Sequence, residues 1–162
     1  MWGRIKINKT VQQELVWFIK HVQWLSGLFF FKSMVWQEGD VRHSTLTIHV
    51  GVSVWGLGIW FLSKKKGYQC LLPILCPTDA IFFSKALVVC SAIHISECFP
   101  GMMCLLIATD NTNIFNIFTS LSAQPVYNPI LILAVNILLH CDVDLRVIYI
   151  PGPLNHITDA LL

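Results

Sequence analysis

The sequence predicts an α/β domain on a mixed sheet, three antiparallel strands followed by two parallel ones with flanking helices, behind a helical N-terminal appendage. Three observations predict it. Leu46, Ile48, Val50, Val52 and Val54 alternate with Thr45, Thr47, His49, Gly51 and Ser53, which is the two-residue period of a strand. Two further apolar runs follow across a lysine-bearing turn, as in a meander. Beyond them, helix-length apolar segments alternate with short buried runs. A chain of 162 residues accommodates one domain with a real core plus an appendage, expected over 41–162 and 1–40.

In order along the chain, Val11, Leu15, Phe18, Ile19, Val22 and Leu25 recur at helical spacing. Thr10-Val11-Gln12-Gln13 fits a capping box at the start, and Gly27 offers a stop. Leu28 to Trp36 reads as a strand, and Gln37-Glu38-Gly39-Asp40 as a turn-rich boundary. The long alternating strand comes next, then Gly56 to Leu62 and Gly67 to Leu72, with Lys64-Lys65-Lys66 as a solvated tip. Asp79 to Cys98 reads as a buried helix through Ala80, Phe83, Leu87, Cys90 and His94. After Pro100-Gly101 follow a strand from Met103 to Thr109 and a helix from Thr112 to Leu121. A helix from Pro129 to His140 and a strand from Leu145 to Ile150 come next. A terminal helical turn follows, which Asn155 can cap.

The chain is 55% hydrophobic and 12% charged, against about 25% charged in an average soluble domain. A membrane protein is nevertheless not expected. The uncharged stretch between Asp110 and Asp142 is interrupted by Asn111, Asn113, Asn116, Gln124, Pro125, Asn128 and Pro129. Its longest clean run, Pro129 to Leu139, falls short of the roughly 20 residues of a spanning helix. Met1-Trp2-Gly3-Arg4-Ile5-Lys6 lacks the apolar region of a signal peptide, which predicts an intracellular protein of cytoplasm or nucleus. Cys70, Cys76, Cys90, Cys98, Cys104 and Cys141 form no C-x-x-C pair, so they read as free, mostly buried thiols rather than a zinc site. A net charge of +2 is too small to argue for nucleic-acid binding by itself. No motif for a small-molecule cofactor is evident.

Two acids stand where apolar packing does not need them. Asp110 follows a buried strand and so reaches the carboxyl edge of the sheet, where open α/β sheets place their chemistry. Asp159 follows a second such strand and its Pro-Gly break. Two carboxylates at neighbouring strand ends suit a divalent metal, but Asp110 can equally cap the helix at Thr112 and Asp159 serve as a helix-start anion. His140, Asp142 and Asp144 read as a turn before a strand, and His49 and His94 as satisfied sheet or core residues. Trp55, Trp60, Phe82 and Phe83 read as core rather than as base-stacking platforms.

The C-terminal third carries a more specific pattern. It consists of Thr109-Asp110-Asn111-Thr112-Asn113 with Phe115-Asn116 and Ser120-Leu121, then Tyr127-Asn128-Pro129-Ile130-Leu131. After these come Asp142-Val143-Asp144-Leu145-Arg146-Val147-Ile148-Tyr149-Ile150-Pro151-Gly152, Asn155 and Asp159-Ala160-Leu161. It resembles the ribonuclease H region of fungal retrotransposon reverse-transcriptase polyproteins. Ser53, Gly56-Leu57-Gly58-Ile59-Trp60, Phe82-Phe83 and Ala86-Leu87-Val88-Val89 fit the same family in order, so the resemblance runs from about Thr45 to Leu161. The helix from Thr10 to Gly27, with Trp17-Phe18 and His21, looks like the segment tethering nuclease to polymerase. The absence of a Y-x-D-D motif leads us to expect a truncated, degenerate tail fragment.

The resemblance implies a ribonuclease H-like fold and hydrolysis of the RNA strand of an RNA·DNA hybrid by water activated between two magnesium ions. It also implies four acids that hold those ions. Two are retained, as Asp110 and Asp159; the first-strand acid falls on Gly51 and the helix acid on Lys85. Four carboxylates would supply about −4, whereas Asp110, Asp159 and Lys85 supply about −1 against the +4 of two magnesium ions. Magnesium binding and catalysis are therefore expected to fail, leaving at most weak hybrid binding. Lys85 is expected to pair with Asp110 or Asp159, and Asp79 and Glu97 lie too far along the helix to substitute. The competing expectations are a non-enzymatic hydrophobic interaction or membrane-associated protein, and a product that scarcely folds.

Overall fold

Alternation along the first strand divides the sheet into an apolar face and a face of small and polar residues, and helices cover the two differently. The computed structural model describes residues 8–22, 45–72, 81–102 and 104–162. The chain divides into two units, Met1–Asp40 and Val41–Leu162.

In the first unit, α1 spans Lys9–Val22. Asn8 caps it: its side-chain oxygen accepts from Val11 N at 2.9 Å, and its carbonyl from Gln12 N. The helix thus starts before the expected Thr10 box, because Asn8 already satisfies the third orphan N–H. Leu25, Gly27 and the strand expected over Leu28 to Trp36 lie outside the described residues.

In the second unit, β1 (Thr45–Val52), β2 (Gly56–Phe61) and β3 (Lys66–Leu71) form an antiparallel meander. Next come α2 (Ile81–Ser96), β4 (Cys104–Thr109), α3 (Thr112–Ser120), α4 (Asn128–Cys141) and β5 (Asp144–Tyr149). A 3-10 turn at Gly152–Asn155 leads into α5 (His156–Ala160). The sheet order is β3-β2-β1-β4-β5, with β4 parallel to both β1 and β5. This is the predicted mixed sheet.

Register explains the core. Ile48 pairs with Phe61 on one side and Ile107 on the other, while Val50 faces Ile59 and Leu46 faces Leu105, so the middle of one face is a continuous apolar surface across β2, β1 and β4. That face packs on Ala86, Val89 and Ile93 of α2, Ile114 and Phe118 of α3, and Ile130, Leu131 and Ala134 of α4. Each fully buried Ile or Leu contributes on the order of 1.5–3 kcal/mol. α2 lies among sheet and helices, which is why it carries no polar stripe. Burial there pushes the Cys90 thiol up to about 11. The described cysteines are free, but Cys70 and Cys98 are exposed rather than buried, since they sit on an edge strand and a helix end.

Lys64 and Lys65 belong to the exposed turn between β2 and β3, and Lys66 opens β3. Asp142 caps α4 in the left-handed region at φ 54°, which accounts for a polar turn before β5. No described helix is long and apolar enough to cross a membrane.

Candidate functional site

The carboxyl end of β4 places Asp110 one residue beyond the last β1–β4 pair, Val50 with Thr109, so Gly51 and Asp110 are neighbours across adjacent parallel strands. Asp110 does not cap α3. Asn111 does, its side-chain oxygen accepting from Ile114 N at 3.0 Å while its own N–H donates to Thr109 Oγ1. The Asp110 carboxylate is therefore available, and it faces Lys85 of α2 with Nζ 3.7 Å from Oδ1. The side chains are 21% and 29% exposed, a partly shielded pair on the order of 1 kcal/mol.

Asp159 is exposed on α5. This helix is held against the sheet on the face opposite the core. Asn155, expected as a side-chain cap, makes no cap bond; its amide donates to Val50 O at 3.0 Å and staples α5 to β1. Thr158 is fully buried and donates to Asn155 O at 2.8 Å. Both contacts depend on close approach to two paired glycines. A Cβ at Gly51 would stand 2.8 Å from Thr158 Oγ1, and one at Gly58 would stand 3.1 Å from Leu162 Cγ. Gly51 and Gly58 together form a seat for the last helix. Sequence reasoning missed Thr158; the facing glycines on β1 and β2 were the available signal.

The residues present do not fit a paired-magnesium centre. Magnesium requires several hard oxygen ligands in near-octahedral array. Here Asp110 is engaged by an ammonium group, Gly51 supplies no ligand, and Thr158 fills the space beside it. Glu97 cannot stand in, because its oxygens lie 3.3 Å from His94 Nδ1 and 3.7 Å from Cys141 Sγ at the other end of α2. Burial, and then that carboxylate, raise the Cys141 thiol. Asp79 lies outside the described residues. Among the described residues no three His, Cys, Asp or Glu side chains are grouped to hold a metal ion.

His49, on the α5 face of β1, is half-buried, and its Nδ1 has no hydrogen-bond partner. Burial, and then the charge of His156, lower its pKa below 6.5. The unfolded chain takes up that proton first, so the stabilising contribution is present above pH 6.5 and is lost as pH falls through the folded value. Thermal unfolding should show a melting temperature that falls on acidification below pH 6.5, and His49→Gln should flatten that slope. An unchanged slope in the variant would move the effect elsewhere. Asp144 acts in the opposite sense nearer pH 3.8, where burial raises its carboxyl against the lowering influence of Arg146.

Comparison with known proteins places the architecture. No protein-family model matches the sequence, and no curated protein matches it. Solved structures do. LC11-RNase H1 in complex with an RNA/DNA hybrid is 12% identical, with 72% of this chain and 91% of that chain covered and a TM-score of 0.58. RNase H1 from the halophilic archaeon Halobacterium salinarum is 13% identical, covering 72% and 93%, with a TM-score of 0.55. LC11-RNase H1 isolated from compost by a metagenomic approach is 14% identical, covering 73% and 92%, with a TM-score of 0.57. At such identities the likeness is one of architecture alone. With the strand order and register above, it shows that this chain has the ribonuclease H-like fold.

Proposed function

We propose that this chain is a retroelement-derived ribonuclease H-like domain, descended from a fungal retrotransposon reverse-transcriptase polyprotein, that no longer cleaves RNA and binds RNA·DNA hybrids weakly without magnesium. Asp110 and Asp159 are its vestigial acids, and Gly51 and Lys85 occupy the positions of the lost ones. One observation carries the reading: the Lys85 ammonium lies 3.7 Å from Asp110 at the carboxyl end of β4. A cation supplied by the chain itself now neutralises the carboxylate there.

The consequences are electrostatic. A fixed ammonium stabilises Asp110 without a divalent ion, but it neither polarises a phosphate nor generates hydroxide as a bound metal does. Eleven basic against nine acidic residues also leave little charge to attract a polyanion. Fluorescence anisotropy with a labelled RNA·DNA hybrid tests this. Affinity should agree in EDTA and in magnesium, and its logarithm should fall with that of salt at a slope of about −2 or shallower. Binding that magnesium strengthens about tenfold, or no binding at all, would overturn the proposal.

A further inference from the structure

The turn between β1 and β2 presents an aromatic side chain that the core does not use. Trp55 is 73% exposed, flanked by Val54 at 74% and Leu71 at 77%. In the sequence, Trp55 reads as core rather than as a stacking platform. The strand stops at Val52, however, and a hydrogen-bonded turn carries the indole outward. Ser53 N donates to Gly56 O at 3.0 Å, and Ser53 Oγ accepts from Trp55 N at 3.0 Å and Gly56 N at 3.2 Å. Leu72 N donates to Trp55 O at 3.3 Å. Both backbone polar groups of Trp55 are thus tied down, so the ring is offered on a fixed support and little backbone entropy is lost when it meets a ligand.

The position matters as much as the exposure. β1 and β4 run in parallel, and the turn begins one residue after Val52, so it projects from the same end of the sheet as Asp110. By a rise of about 3.3 Å per residue and a strand spacing of about 4.8 Å, Trp55 stands on the order of 10–15 Å from Asp110. The apolar patch is small. Three side chains offer roughly 400 Å², against about 800 Å² per partner in a stable protein interface. That area suits one planar ring instead.

We infer that Trp55 is a stacking platform for an unpaired base, so that the chain favours hybrids bearing a single-stranded extension over blunt ones. The inference rests on the hybrid-binding reading above. Bases inside a duplex are already stacked on one another, and only an unpaired one can lie on an indole. Such stacking is independent of base identity and strong enough to be measured where few cations contribute.

The test compares a blunt RNA·DNA hybrid with the same duplex carrying a short single-stranded end, by anisotropy in EDTA. Wild type should bind the extended probe about tenfold more tightly than the blunt one. Trp55→Ala should remove that difference and leave blunt-probe affinity unchanged, while Trp55→Phe should retain most of it. Trp55 is exposed, so neither variant threatens the core. Equal affinity of wild type for the two probes, or a Trp55→Ala variant that keeps the preference, would sink this inference and leave hybrid binding standing. Sedimentation showing that Trp55→Ala only dissociates a dimer would assign the patch to a second copy of the chain. Failure to bind either probe would overturn the hybrid-binding reading, and this inference with it.

Discussion

Lys85→Glu is expected to lower the stability of the folded domain at neutral pH by about 2 kcal/mol and, unlike wild type, to recover stability when manganese or magnesium is added. Both effects follow from the 3.7 Å separation of Lys85 Nζ from Asp110 Oδ1. The substitution removes an attractive pair and sets two carboxylates against one another, each partial exposure limiting the cost. A divalent ion held between them restores attraction. At ten times its dissociation constant the ion contributes about 1.4 kcal/mol, which moves the melting temperature of a domain this size by several degrees, roughly 4–6 °C. The measurement is a thermal melt of wild type and variant with and without manganese. A variant as stable as wild type and indifferent to manganese would mean that Lys85 does not govern Asp110.

Gly51→Asp carries the second large effect, and its direction opposes simple repair of the site. A carboxylate at Gly51 would supply the first-strand acid that the proposed ancestry implies, yet its Cβ would stand 2.8 Å from Thr158 Oγ1, 3.0 Å from Thr158 Cβ and 3.3 Å from Leu162 Cδ1. Either α5 moves away or the strand distorts. Overpacking of this kind, with a carboxylate brought into a buried position, costs on the order of 3 kcal/mol. Thr158→Ala alone loses the hydroxyl bond to Asn155 O and a buried methyl group, together about 2 kcal/mol. Combined with Gly51→Asp it should cost clearly less than the sum, with a coupling of about 1–2 kcal/mol, because the oxygen responsible for the clash is gone. Denaturant unfolding of the two single variants and the double variant measures this. Strict additivity would show that α5 does not rest on Gly51. Adding a carboxylate at Gly51 to the Lys85→Glu site therefore requires Thr158 to yield as well.

Much of the architecture was legible because it is encoded locally. The alternation from Thr45 fixed which face of β1 is apolar, and the buried run before Asp110 fixed which end of β4 bears the acid. Long-range contacts were not legible. Asp110 and Asn111 are adjacent and both suit a helix cap; Asn111 takes that role while Asp110 faces Lys85, 25 positions earlier in the chain (110 − 85). Asn155 has the composition of a cap, but its partner is a carbonyl 105 positions away on β1. Trp55 reads as core because large aromatic side chains are usually buried, whereas Ser53 closes a turn that ends the strand at Val52 and leaves the indole exposed. In each case a contact distant in sequence, or a side-chain bond to the backbone, overrode a sound local pattern.

On the function proposed above, the Lys85–Asp110 ion pair stands in place of a working catalytic centre. An RNA·DNA hybrid labelled on its RNA strand, incubated with purified protein in magnesium and separately in manganese, then resolved on a denaturing gel, puts that claim to the test. The RNA strand should remain intact in both ions. Time-dependent cleavage by wild type that disappears in Asp110→Asn would contradict it.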